Sequence, residues 1–160
     1  MYYFIDGYNL IFSLIDSKES LKTLRQNVVR LLQKRFARYN LSGTIVFDGA
    51  HQRGEESGLS YPSPLIVAYT PKGESADEYI VEQLKSAKRV HQTIVVTDDR
   101  GLGLHVKSMG GKVQSNAEFI HWLNRKKKTK GKEIAPADTQ QNIDRLLAIF
   151  EERLKRDLDE

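Results

Sequence analysis

The sequence predicts a three-layer α/β/α domain with a mainly parallel central sheet. Short apolar runs alternate with helical patterns along the chain, which is the order that parallel crossover connections produce. The central runs, above all Thr93–Thr97, are continuous in polarity rather than alternating, as expected of strands covered on both faces. A length of 160 residues suits one compact domain with one core.

Tyr2 to Ile5 reads as a short buried strand ended by Asp6-Gly7. Leu21, Leu24, Val28, Leu31 and Leu32 recur at helical spacing, so roughly Ser20 to Tyr39 is an amphipathic helix with Arg and Lys on its wet face. Asn40 to Gly43 supply a turn, and Thr44–Phe47 is the second strand, closed by Asp48-Gly49. A polar, Gly-containing loop is expected from Ala50 to Ser60, then a third strand at Leu65–Tyr69 and a turn at Thr70-Pro71-Lys72-Gly73. Ser75-Ala76-Asp77-Glu78 fits a capping box and opens a helix with Ala76, Ile80, Leu84 and Ala87 inward.

The β-branched strand Thr93–Thr97 runs into Asp98-Asp99-Arg100-Gly101. A short helix to about Met109, a Gly110-Gly111 turn, a strand at Lys112–Gln114 and a helix at about Asn116–Asn124 follow. The domain is therefore placed at 1–124, a basic linker at 125–138 and a C-terminal helix at 139–160, the last marked by Ile143, Leu146, Leu147, Phe150 and Leu154.

Composition narrows the class. The hydrophobic share is 39% and the charged share 29%, ordinary for a folded globular chain. No apolar run approaches a membrane span, so no membrane partner is expected. The start has no basic leader region. With no cysteine, disulfides and thiolate metal sites are excluded, and a cytoplasmic location is expected. The net charge is +4, and the excess is local: Arg125, Lys126, Lys127, Lys128, Lys130 and Lys132 form an almost purely basic run suited to RNA phosphates, although such runs are often only solvated linkers.

The chemistry is carried by acids. In open α/β sheets ligands bind outside the carboxyl ends of the strands. Asp6, Asp48 and the Asp98–Asp99 pair all sit at such ends, and Asp77 lies in the first turn of a helix. If the first strand and Thr93–Thr97 are neighbours, Asp6, Asp77 and Asp99 converge. Crowded carboxylates hold protons tightly unless a cation compensates, and Mg²⁺ or Mn²⁺ suits carboxylate and water oxygens. Such an ion activates water and offsets charge on a phosphodiester. Taken singly, Asp6 also fits a strand-end turn, Asp77 a favourable helix-dipole position and Asp48 a turn.

Other motifs point elsewhere less well. Gly101-Leu102-Gly103 lacks the third glycine of a dinucleotide loop. The histidines show no zinc spacing, leaving His51 only as a substrate-contact candidate. Tyr8 and Tyr69 suit packing or base stacking. Glu74 is at most an outer partner of the acids.

The series Ile5-Asp6-Gly7-Tyr8-Asn9, Val46-Phe47-Asp48-Gly49, Tyr69-Thr70 with Glu74-Ser75-Ala76-Asp77-Glu78, and Val96-Thr97-Asp98-Asp99 resembles the motif series of the NYN domain family. The match is to its YacP-like branch, a relative of PIN-domain nucleases, over about Tyr2 to Leu123. The resemblance implies a PIN-like (Rossmann-like) fold, a Mg²⁺ or Mn²⁺ site and endoribonuclease activity, with mRNA at the ribosome as the target of that branch. Carried over, Asp6, Asp77 and Asp99 are the catalytic acids. Asp6, Asp77, Asp98 and Asp99 are the candidate metal ligands, with either of the last two facing the ion. Asn9, Asp48 and Thr97 are supporting residues. The chain departs from the pattern at Asp98, where relatives carry a small polar residue, and at Asp48-Gly49-Ala50-His51, where the histidine is displaced by one position. The alternative is a catalytically inactive RNA- or ribosome-binding module that keeps the fold and the basic run.

Overall fold

The apolar run Tyr2–Asp6 becomes β1, which lies at the centre of the sheet. It pairs in parallel with β2 (Ser42–Phe47) on one side and with β5 (Thr93–Val96) on the other. The computed structural model describes residues 1–14, 19–49, 58–60 and 64–125. The linker and C-terminal helix expected beyond Arg125, and His51, lie outside the described residues. Beyond β2 comes β4 (Leu65–Tyr69), with β3 (Gly58–Ser60) antiparallel at the edge; beyond β5 comes β6 (Lys112–Gln114). The strand order is β3-β4-β2-β1-β5-β6, so five parallel strands carry one short antiparallel edge.

The chain moves from β1 outward through β2 to β4, crosses back, and then builds β5 and β6 on the other side. The direction of winding reverses beside β1. At such a switch point neighbouring connections diverge and leave a crevice at the carboxyl ends of the strands.

Two helical layers cover the sheet. On one face α1 (Gly7–Leu14), α2 (Leu21–Arg38) and α5 (Asn116–Arg125) bury Leu10, Ile11, Val28, Leu32, Phe36, Phe119 and Ile120 against Tyr3, Ile5, Ile45 and Phe47. On the other, α3 (Ala76–Ser86) and α4 (Arg100–Ser108) bury Ile80, Leu84, Leu102 and Val106 against Phe4, Val46 and Val95. Alternate residues of the central strands thus face opposite layers, which is why these strands read as unbroken apolar runs. Ser20 and Ser75 cap α2 and α3, each accepting from the backbone N–H three residues on.

The structure adds elements to the sequence reading, among them a 3₁₀ turn at Val90–Gln92. The segment after Asp6 is not only a turn: α1 begins at Gly7. It is uncharged and opens on glycine, and its one start signal, Asp6, reads equally as the end of a strand. The expected loop to Ser60 contains β3, three residues too few to show alternation.

Gly7 is required by contact. A Cβ there would lie 2.5 Å from Phe47 Cε1 and 2.9 Å from the Val46 carbonyl oxygen, and Phe47 is fully buried. Gly7→Ala is expected to cost about 1–3 kcal/mol by overpacking, lowering the thermal midpoint by roughly 2–4 °C per kcal/mol. Thermal unfolding of the variant beside the parent checks this; an unchanged midpoint would show that the α1–β2 contact yields freely.

Candidate active site

Asp6 ends β1 and Thr97 follows β5, and the pairing of Ile5 with Val96 sets them side by side. Thr97 Oγ1 lies 3.4 Å from Asp6 Oδ2 and 3.5 Å from Asn9 Oδ1, and accepts the Asp99 N–H at 3.1 Å. Asp6 is 7% exposed. Its carboxylate also takes the backbone N–H of Asn9, so the strand-end acid caps the helix that follows it.

Asp77 arrives from the other layer. Thr70, buried after β4, accepts the Gly49 N–H at 2.9 Å and donates its hydroxyl to the Glu74 carbonyl at 2.7 Å. A Cβ on Gly49 would fall 2.0 Å from the Thr70 carbonyl oxygen, so this crossing admits only glycine. The tight turn delivers the Ser75 cap and places Asp77 in the first turn of α3, close enough to Asp6 for one carboxyl to donate to the other.

Burial and mutual repulsion show in the proton affinities. Burial pushes the Asp6 carboxyl up to about 7, with the charge of Asp77 the next cause and that of Asp99 a smaller one; Thr97 and the Asn9 N–H pull the other way. Burial likewise raises Asp77, followed by the charge of Asp99, against the contact with Asp6; Asp48 and Glu78 add to it. Asp6, Asp77 and Asp99 therefore share one electrostatic site, with Asp48 at its margin.

The two consecutive acids are separated by their partners. Asp99 caps α4, its Oδ1 accepting the Leu102 N–H at 2.8 Å, and its charge falls on Asp6 and Asp77. Asp98 Oδ1 instead accepts the Asn116 N–H at 2.9 Å, at the start of α5. Asp98 is the candidate whose carboxylate is tied to the start of α5. Glu74 enters through main-chain bonds. Arg125 ends α5, and the lysines after it lie outside the described residues.

Among the described residues no three carboxylate or imidazole groups are arranged to hold one ion. The Asp6–Asp77 pair does fit a hard divalent cation. Both carboxyls carry raised proton affinities, and Mg²⁺ typically takes one or two protein carboxylates and fills its remaining positions with water and phosphate oxygens.

Asn116, which no sequence motif marks, holds the site together. It is fully buried, and its Nδ2 lies 2.8 Å from Asn9 Oδ1, 2.8 Å from Ser13 Oγ and 3.3 Å from the Asn9 carbonyl oxygen. Asn9 Oδ1 also accepts the Asp98 N–H at 2.9 Å. With its oxygen taken, Asn9 has a fixed amide orientation. Only the fold brings Asn116 to α1, and its residue type gives no signal of that. Replacing it by Ala strips acceptors on α1 of a buried donor and is expected to cost about 1–3 kcal/mol, read from urea unfolding; a loss within about 0.5 kcal/mol would remove this role.

The raised Asp6 pKa makes a pH prediction for the metal-free chain. The unfolded chain loses this proton near 3.8, the folded one near 7. Between those values the folded state binds more protons, so stability falls as pH rises and levels off above about 7. Asp77 acts in the same direction. Asp6→Asn is expected to exceed the parent in stability by about 1–4 kcal/mol at pH 8, with the gap closing towards pH 5. Urea titrations in chelator measure the difference; a gap that does not change with pH would sink the burial account.

Three comparisons place the chain among known proteins. A family model described as a YacP-like NYN domain matches residues 3–160. The crystal structure of Rae1 (YacP) from Bacillus subtilis is similar in fold, with a TM-score of 0.64 and 19% identity, over 99% of this chain and 87% of that one. Its W164L mutant gives a TM-score of 0.61 and 22% identity, over 96% and 90%. No curated protein sequence matched the chain. The model match runs almost the full length, and the acids it covers share one crevice at the switch point of a parallel sheet: this chain belongs to the YacP-like NYN domain family.

Proposed function

We propose that the chain is a divalent-metal-dependent endoribonuclease acting at the Asp6–Asp77 crevice. The observation that carries this is the pair itself. Two carboxyls, a buried one from the central sheet and a half-buried one from the helix packed on it, share a site where both resist ionisation, an arrangement that is costly without a cation. Membership in a family of PIN-like nucleases supports phosphodiester hydrolysis as the chemistry and RNA as the substrate.

Asp6 and Asp77 would hold Mg²⁺ or Mn²⁺, with Asp99 supplying further negative charge beside them. The ion, when bound, would offset the charge that grows on the phosphodiester and favour ionisation of water. The protein's own part is positioning. Thr97 and the Asn9 N–H aim the Asp6 carboxylate. Asn9, its oxygen held by Asn116 and Asp98, presents Nδ2 as a donor for a phosphate oxygen. Asp48 adds charge at the margin of the crevice. The family branch and the run from Arg125 to Lys132 support mRNA on the ribosome as the physiological form of the substrate.

Asp6→Asn and Asp77→Asn are each expected to lower Mn²⁺-dependent cleavage by more than about 100-fold, assayed on naked RNA and on translating ribosomes, with RNA binding retained. Undiminished cleavage by both variants would refute the assignment. If Mn²⁺ neither stabilises the parent against heat nor supports cleavage on either substrate, the chain is an RNA- or ribosome-binding module instead.

A further inference from the structure

Phe12 is the one exposed aromatic side chain among the residues whose burial the structure describes, at 56% exposure, and it lies on α1 two turns after Asp6. It belongs to a continuous aromatic series. Its ring stacks on Tyr8 at 5.8 Å between centroids, Tyr8 meets Phe47 edge-on at 5.0 Å, and Phe47 stacks on Tyr69 at 5.7 Å. Arg25 braces the series, donating to the Tyr8 hydroxyl at 3.0 Å and lying 5.5 Å over the Tyr69 ring.

The helix carrying Arg25, α2, holds six Lys or Arg residues and no acid, and α1 holds no charge at all. Arg25, in the first turns of α2, reaches Tyr69 at the end of β4, so this part of the helix stands at the carboxyl edge of the sheet, the edge where Asp6 also lies. An exposed ring on a rigid, buried support, next to the cations of α2, matches what an unpaired nucleotide needs: a stacking surface for the base and a positive group for its phosphate.

We propose that Phe12 and Arg25 form a nucleotide subsite that seats one unpaired base of a single-stranded RNA beside the cleavage crevice. The base stacks on the Phe12 ring, and Arg25, with Lys22, holds the adjoining phosphate. The subsite rests on the ribonuclease reading for its place on the substrate path, and its test is a binding measurement that needs no cleavage.

The full chain is titrated, in chelator, with a single-stranded oligoribonucleotide carrying 2-aminopurine at an internal position. Quenching is expected with the parent and with Phe12→Trp. Phe12→Ala should lose the quenching and weaken binding by at least about five-fold, the lower end of one base–aromatic stack. Arg25→Met should weaken binding and reduce the salt slope by about 1. Phe12 is exposed, so the Ala variant should keep the parent's thermal midpoint.

Unchanged affinity and quenching in Phe12→Ala would overturn the subsite, as would equal quenching with a duplex of the same sequence or no RNA binding by the parent. An effect confined to a protein partner or to vesicles would overturn it too. If instead Phe12→Ala fails to bind while Asp77→Asn cleaves normally, the subsite stands and the assignment of the catalytic acids falls.

Discussion

Asp6 and Asp77 meet where an apolar core gives way to solvent, and most of the structure around them serves to enforce that meeting. Two carboxylates in a poorly hydrated place repel each other, and each is also denied the water that would stabilise its charge. Nothing local would bring them together. β1 must lie at the centre of the sheet so that its carboxyl end opens into the crevice, and α3 must be delivered across that end by the turn that Thr70 and Gly49 lock. The favourable burial of both hydrophobic layers is what offsets this local cost.

The acids are aimed by neutral groups. Asn9, Thr97 and Asn116 come from α1, the end of β5 and the start of α5, and they bond to one another. Each carboxylate near them also binds a backbone N–H. Asp6 caps α1, Asp99 caps α4, and Asp98 accepts from the N–H of Asn116. Three helix starts therefore point towards one end of the sheet. Their partial positive charges lower the cost of gathering acids there. A structural role and a chemical role are not rivals at these positions, because the geometry that satisfies a helix end also fixes where the second carboxylate oxygen can go.

How legible the fold and the site are in the sequence depends on whether a feature is local. The strands Leu65–Tyr69 and Thr93–Val96 announce themselves by composition, α2 by its spacing and α3 by its Ser75 cap, all of which act over a few residues. Convergence of the acids requires β1 and β5 to be neighbours, a condition that pairing of the two strands meets. α1 escapes a sequence reading because its cap, Asp6, reads equally as a strand-end turn, and the tertiary packing of Leu10 and Ile11 is what stabilises the helix. Asn116 escapes for a related reason, and so does the role of Thr70, although the motif series includes that residue. Each is an ordinary polar residue whose partners lie on other segments, Asn9 for one and Gly49 for the other. The consecutive acids Asp98 and Asp99 cannot be told apart without knowing that α5 begins next to one of them.

The electrostatic layout sets a requirement on any substrate. A crevice of aspartates repels a phosphodiester, so the acids alone cannot hold a strand even when a cation neutralises part of their charge. Attraction has to come from the flanks, where the first turns of α2 carry Lys22 and Arg25. Repulsion at the centre with attraction at the side orients a polyanion across the crevice, because the backbone is drawn to the rim and only the phosphate nearest a bound cation is drawn inward. An aromatic series at that rim adds what charge cannot, a preference for bases that are free to unstack. The +4 net charge of the chain understates this separation: acids gathered at one point and bases arrayed beside them cancel in the sum while shaping the local field.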